Sequence, residues 1–405
     1  MIEFVESKEI YASEETLRAK IELLQKTRMV DLAGDFYKQL NKESDIPDDM
    51  KNTRAEVIQS LQSLSKKAEK ILEFLKDADN KQKLRATLEN KKQMLQTISK
   101  ENEIDEEQIE ALFHYAKFQF DCGKYEISAD LLDQFLLVST DQAQTRSAMW
   151  GKLASNCLLQ KWDQANEDLT KLKDMIEQTT FKTFLEQMRN RCWVCHWSLF
   201  VFFNQSEQGA VNLCDMFFQD KYMQAIQYEA PYLLRYLAAA VIMVKRRRAS
   251  SVRDICRIMQ VEQYRDPVLE FFDQLFVKFD FDGAQVALEN CDSMLKNDFF
   301  LAKHINAFNE NARMHIFETY CRVQKTIQIE ELAKKLNLTL EDAERWIVNL
   351  IRTSKLRAKI DMEAGIVTML TDTHSTHEQI FDKTKQMLAK TYQLAHTVLS
   401  HTPRD

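Results

Sequence analysis

A chain of 405 residues, 45% of them hydrophobic, has room for roughly two or three ordinary domain cores, yet it holds only six glycines and four prolines. Average usage is roughly 7% Gly and 5% Pro, so the residues that punctuate strands and turns are depleted; long helices with short connections are expected, and the scattered glycines exclude a phosphate-cradling loop or a dinucleotide fingerprint. A formal charge of −7 excludes a protein that coats nucleic acid through its overall field.

The chain opens MIEFVESKE, with charges where a secretory signal would carry its apolar core. From Ile10 to Leu40 the pattern is helical, with Leu17, Ile21 and Leu24 on one face and Val30, Ala33 and Tyr37 on the next. Ser44 to Asp49, which contains Pro47, is the first break. Asn52 to Lys100 is dominated by Lys, Glu, Gln and Asn around a narrow seam of Val57, Leu61, Leu64, Ala68, Ile71 and Leu75. It reads as a solvated helix rather than as a nucleic-acid arm.

Beyond Glu106 the pattern repeats. Ile109, Leu112, Phe113, Ala116 and Phe120 form a stripe, the DCGK segment turns the chain, and Tyr125, Ala129, Leu132 and Leu136 form the next. The same spacing returns at Ala165, Leu169, Leu172 and Ile176, and again at Ala284, Leu288, Cys291 and Leu295. The second of these begins 40 residues after the first and the third a further 119 on, close to three more periods. An aromatic, Trp162 or Phe281, stands three residues before the later two. Helix pairs of this period stack into a solenoid, because one pair alone cannot bury its apolar face.

Within this stretch Cys192-Trp-Val-Cys195-His196 has the spacing of a covalent haem attachment, but nothing more. The surrounding RCWVCHWSLFVFF reads as a buried helix in which Cys acts as a small apolar residue. A structural zinc site needs four ligands, and no second pair stands at ligand spacing. The apolar run around Cys195 to Phe203 is too short for a bilayer, which needs about 20 residues, so no membrane partner is expected. Eight scattered cysteines suit reduced thiols in the cytoplasm or, as an additional pool, the nucleus. Lys245 to Arg248, followed by Ser250 and Ser251, reads as a solvated loop. No Ser or Cys sits in a nucleophile elbow, so neither a catalytic residue nor a cofactor is nominated.

From Thr326 the order is strand, helix, turn, helix, hairpin. Ile327 and Ile329 alternate as in a strand, and Ile329, Leu332, Ala333 and Leu336 share a helix face. Asn337 stops that helix, Thr339 and Asp342 start a second, and Leu340, Ala343, Ile347, Leu350 and Ile351 give it a buried side. Leu356, Ala358 and Ile360 then alternate against Arg357, Lys359 and Asp361, and Gly365 turns into Ile366 to Leu370. This is a winged helix. Its second helix opens on Glu341, Asp342 and Glu344, which would meet DNA base acceptors with negative charge, so major-groove reading is disfavoured. Arg345, Arg352, Lys355, Arg357 and Lys359 form a basic side suited to RNA phosphates, while the wing strand with Val367 and Met369 offers a sheet edge to a partner strand.

The last segment holds His374 and His377 near Asp372, a helix start rather than a metal site. Apolar residues then recur every seven positions: Ile380, Met387 and Leu394, beside Phe381, Leu388 and Ala395. Such a seam wants a partner helix or its own domain to pack on. The fold expected is mainly α: N-terminal helices over residues 1–100, a TPR- or HEAT-like repeat stack over 101–325, a winged helix over 326–371 and a C-terminal helix over 372–405.

A repeat stack running into a winged helix resembles the PCI-domain family, whose members build the proteasome lid, the COP9 signalosome and eukaryotic translation initiation factor 3. The resemblance to the initiation-factor branch is carried by KEIY at Lys8, WGKLASNCLLQKWDQANEDLTKLK from Trp150, HWSLFVFFN from His196 and KFDFDGAQ from Lys278. NDFFL from Asn297, NARMHIFETYCR from Asn311 and LAKKLNLTLEDAERWIVNLIR from Leu332 extend it over most of the chain. Against that family's pattern the chain starts about one helix late, Asn52 to Lys100 matches loosely, and Cys192 and Cys195 are departures where His196 and Trp197 conform. The resemblance implies a non-catalytic scaffold protein acting on the small ribosomal subunit and mRNA during initiation. The neighbours it implies are other PCI proteins of the complex, such as its c and l subunits, docked winged helix to winged helix, together with its d subunit. The same architecture in the signalosome or the lid, or a winged-helix RNA-binding regulator, is the alternative.

Overall fold

The computed structural model describes residues 1–41, 48–76, 106–205, 208–244, 249–324, 326–330, 345, 347–348, 358–361, 365–369 and 376–401. They fall into two units, Met1–Ala312 and Arg313–Asp405.

The first unit is helical throughout its described residues. It opens with α1 (Ile2–Ser7), α2 (Ser13–Gln25), α3 (Val30–Asn41) and α4 (Asp48–Lys76). The helical pattern expected from Ile10 to Leu40 is carried by two packed helices, with Ile21, Leu24 and Ala33 buried on the expected faces. The seam of α4 divides by burial. Val57, Leu61 and Leu64 are half-buried, but Ala68, Ile71 and Leu75 are fully buried. These three join a core with Leu112, Ala116, Leu132 and Phe135, so the second half of α4 is packed rather than solvated. The rest of the expected helix, from residue 77 to 100, lies outside the described residues.

The stack proper follows as α5 (Glu106–Asp121), α6 (Tyr125–Val138), α7 (Gln142–Leu158), α8 (Trp162–Gln178), α9 (Phe184–Phe202), α10 (Gln208–Phe217), α11 (Asp220–Glu229), α12 (Leu233–Met243), α13 (Ala249–Val261), α14 (Pro267–Phe272) and α15 (Phe281–Asn297). Each helix packs mainly on its chain neighbours and on the helix after next, which is solenoid packing.

Of the three stripes the second, Ala165 to Ile176, is buried throughout, while Tyr125 and Leu136 of the first and Leu288 of the third are only half-buried, and the register is set by the turns. In each copy a residue in the left-handed conformation stands two positions before the aromatic that begins the second helix: Gly123 (φ 82°) before Tyr125, Gln160 (φ 59°) before Trp162, and Phe279 (φ 55°) before Phe281. The Lys124 N–H reaches back to the Gln119 carbonyl at 3.0 Å, and the Lys161 N–H to Asn156 at 3.0 Å, closing the helix end in the Schellman manner. In the third copy the Asp280 N–H reaches Gln274 at 2.9 Å, one residue further, because a π turn over Asp273–Lys278 precedes it. Three residues after each aromatic a small buried side chain follows, Ser128, Ala165 or Ala284. The Ser128 hydroxyl donates to the Ala116 carbonyl at 3.0 Å, so the first pair of helices crosses closely at that point.

Buried ion pairs tie successive helices together. Lys152 on α7 joins Asp133 of α6 at 2.7 Å and Asp168 of α8 at 3.1 Å. Burial works against its charge, but the two carboxylates outweigh that and hold its pKa above the ordinary lysine value. Arg191 on α9 grips Glu177 of α8 through two bonds, at 3.1 and 2.9 Å, and Lys221 of α11 joins at 3.4 Å. Farther on, Arg235 of α12 meets Asp266 at 2.6 Å, while Asp298 accepts from Tyr236 at 3.0 Å and from the Phe300 and Leu301 amides. Phe300 thereby packs on Phe200 and Tyr236, and Phe299 meets Phe4 of α1 with ring centroids 5.5 Å apart. The start of the chain is thus held against the region of Phe299. The N-terminal helices belong to one unit with the stack rather than to a separate body.

A short 3₁₀ turn at Ala302–His304 leads into α16 (Ile305–Val323), on which the division between the units falls. In the second unit β1 (Thr326–Gln328), β2 (Ala358–Asp361) and β3 (Ile366–Met369) form an antiparallel sheet in the order β1-β3-β2. The last described helix is α17 (Thr376–His401). The two helices expected between β1 and β2 fall almost wholly outside the described residues; Arg345, Ile347 and Val348 are helical where described.

The left-handed turns give a paired test. Gly123→Ala meets both a positive φ and the Met29 sulfur 2.8 Å from the new Cβ, so it should lower stability by about 1–2 kcal/mol. Gln160→Gly removes a left-handed non-glycine residue and should raise stability by up to about 1 kcal/mol. Urea midpoints at constant slope measure both.

Candidate assembly surfaces

Three antiparallel strands leave two edges, and strand order decides which strands carry them. Val367 pairs with Ile327 on one side and Ile360 on the other and is fully buried. Met369, opposite Ala358, lies on the same central strand. The sheet edge therefore belongs to β1 and β2 and not, as expected, to the strand of Val367 and Met369. A strand that returns from a hairpin and is also joined by the strand preceding both helices is enclosed by its own neighbours. Gly365, at φ 62°, makes the hairpin turn, and its carbonyl accepts from the Ile329 amide at 2.9 Å. Ile329 and Ile347 are buried, as expected of the inner faces of strand and helix.

The outer strand β2 presents Lys359 and Asp361 to solvent, and Arg345 is exposed on its helix. These two cations are the described part of the expected basic side. Arg352, Lys355 and Arg357, together with the acidic residues Glu341, Asp342 and Glu344, lie outside the described residues. So do His374, Asp372 and the segment from Lys245 to Arg248. His377 is exposed at the start of α17.

Along α17 the seven-residue seam faces solvent. Ile380 is 57% exposed, Met387 68% and Leu394 66%, and Phe381, Leu388 and Tyr392 are as open. Full burial of an apolar side chain of this size is worth roughly 1.5–3 kcal/mol, so covering the stripe offers on the order of 10 kcal/mol before ordering costs. Thr384 and Thr391, also seven apart, return their hydroxyls to the Ile380 and Met387 carbonyls at 2.7 and 2.9 Å. These hydroxyls are satisfied within the helix and could be covered without loss.

The Cys192-x-x-Cys195-His196 motif lies inside α9. Burial pushes the Cys192 thiol up to about 11 and that of Cys195 well above its ordinary value, so both stay protonated at neutral pH. The His196 ring is already engaged, with Nδ1 2.8 Å from the Cys192 carbonyl oxygen and Nε2 bonded to the Tyr232 hydroxyl. Sequence reasoning missed what surrounds it. Trp193 on α9 and Tyr232 after α11 flank the His196 ring, with centroids 5.7 and 5.5 Å from it, and both are exposed, Trp193 at 60%. The signal was available: from Cys192 to Phe202 the helix carries apolar residues on every face, and such a stretch does not bury all of them.

Among the described residues no group of three or more His, Cys, Asp and Glu side chains is placed to hold a metal ion, and no helix is long and apolar enough to cross a membrane.

Residues 1–119 match the family described as the eIF3 subunit 6 N terminal domain, and residues 288–371 match the PCI domain. The chain is 44% identical to the E subunit of eukaryotic translation initiation factor 3 from Arabidopsis thaliana, over 99% of this chain and 93% of that protein. It is 40% identical to the protein of the same name from Aspergillus niger, over 95% of this chain and 86% of that one. The N-terminal match includes the region from Asn52 whose sequence resembles the family only loosely.

Alkylation tests the thiol assignment. With its pKa near 11 rather than 9, Cys192 carries roughly a hundredfold less thiolate at pH 8. Iodoacetamide should label Cys192 and Cys195 rapidly only after unfolding in urea; equal rates in the native chain would contradict the packing described.

Proposed function

This chain belongs to the family of the E subunits of eukaryotic translation initiation factor 3, and from that membership we propose that it is a non-catalytic scaffold of initiation factor 3. In this reading the repeat stack is a rigid arm, and two places in the second unit are its assembly surfaces. One is the side of the winged-helix sheet at β2, an outer strand among the described residues on which Lys359 is exposed. The other is the exposed seam of α17, which suits a helical bundle made with other subunits.

The observation that carries the proposal is that seam: large apolar side chains at heptad spacing, more than half exposed, on a helix 26 residues long. An isolated helix gains little from propensity alone, so such a stripe is most useful where a partner covers it. The partners the family implies are neighbouring PCI proteins such as the c and l subunits, the d subunit and the small ribosomal subunit. The site of action is the cytoplasm. Contact with RNA through the exposed Arg345 and Lys359 is a secondary role.

The test is co-sedimentation of the full-length chain with initiation factor 3. Replacing Met387 and Leu394 together by Glu should remove the chain from the complex while its thermal unfolding is unchanged, since both side chains are exposed. Lys359→Glu should weaken assembly without unfolding the sheet, whereas Val367→Pro would break the sheet core itself. Unchanged co-sedimentation of both the helix and the edge variants would overturn the proposal.

A further inference from the structure

A wide groove of about 830 Å³ opens on the repeat stack between the α7–α8 turn and the α9–α10 connection. Its lining is unusual in chemistry. Seven of the ten residues that form it carry carboxamides, and the others are Lys161, Asp163 and Trp162. The charges cancel, and Lys161 is also paired with Glu126 at 3.5 Å. A nucleic acid, with a phosphate at every nucleotide, finds no free cation among these lining residues.

We propose that this groove binds an extended, charge-poor peptide segment of a partner protein and reads its backbone. A carboxamide carries both a donor and an acceptor, as a peptide bond does, so the two can exchange a pair of hydrogen bonds without regard to side chain. Two helical rows line the groove at matched spacing. Trp162 and Asn166 stand four apart on α8, and Gln208 and Asn212 stand four apart on α10. Four helical residues rise about 6 Å, and alternate residues of an extended chain advance roughly 6.6 Å, so each row faces every second residue of a bound strand. Trp162, half-buried at the start of α8, supplies an apolar platform for one side chain of that strand.

The walls are fixed. Asn204 donates to the Phe200 carbonyl at 2.8 Å and accepts from Lys303 at 2.9 Å, so it shapes the groove and does not read the ligand. Gly209 brings α10 close to the end of α9, because a Cβ there would overlap the Phe202 carbonyl. Gln208 and Asn212 meet only loosely, at 3.4 Å, and that bond is readily exchanged for one to a ligand.

The experiment is selection of a displayed random dodecapeptide library on the full-length chain, with the Asn166→Ala/Asn212→Ala variant as the counter-selection. Peptides enriched on the native chain should be poor in Asp, Glu, Lys and Arg. In fluorescence anisotropy they should bind the variant roughly tenfold more weakly and should lose as much when alternate backbone nitrogens are methylated. Trp162→Phe should remove the tryptophan emission change on binding. Equal unfolding midpoints for variant and native chain exclude a folding artefact. No enrichment over the counter-selected variant, or affinity indifferent to N-methylation, overturns the proposal. Loss in the variant of binding to oligouridylate or to an oligosaccharide, with no peptide enriched, assigns the groove to another ligand class and overturns it equally.

Discussion

A pair of antiparallel helices has two apolar faces and can cover only one of them by itself. Most of this chain answers that constraint by repetition: the stripe of each pair is covered by the next, and Lys152, Glu177 and Arg235 mark successive steps where a buried charge is matched across helices. Matching such charges is worth little by itself, but a mismatch is costly, so the pairs fix which helix follows which. The tight left-handed turns set the distance between the two helices of a pair, and with it the depth at which Ser128, Ala165 and Ala284 are buried.

Repetition postpones the problem of the last face without removing it. In the second unit the sheet buries Val367 between two strands, with β1 and β2 outermost among the described residues, and the seam of α17 is exposed. The exposed seam is thus the largest apolar surface left uncovered on the described helix that ends the second unit.

Much of this is legible in the residues. The depletion of glycine and proline announces helices, the 3.6-residue stripes locate the stack, and the switch to period two at Ala358 and Ile360 locates the sheet. Stripe spacing alone sets the first repeat three residues out of register, because it takes Tyr125 as the first stripe position rather than as the counterpart of Trp162 and Phe281; only the positive φ at Gly123, Gln160 and Phe279 aligns them. Alternation puts the edge on Val367 because it shows which residues share a face but not which strand lies in the middle; strand order is a long-range property. The burial of Ala68, Ile71 and Leu75 escapes for a similar reason: a narrow seam in a charged helix looks solvated until the helix that covers it is known. The carboxamide groove cannot be read at all, since Asn166 and Asn212 lie on different helix pairs.

The measurement that bears most directly on this account is amide hydrogen exchange along Thr376–His401, in the isolated full-length chain and in the assembled initiation factor. A helix whose apolar seam awaits a partner should exchange quickly in the free chain and become strongly protected on assembly, while the amides of α7 and α8 stay protected in both. Equal protection of the terminal helix in the free chain and in the complex would contradict it.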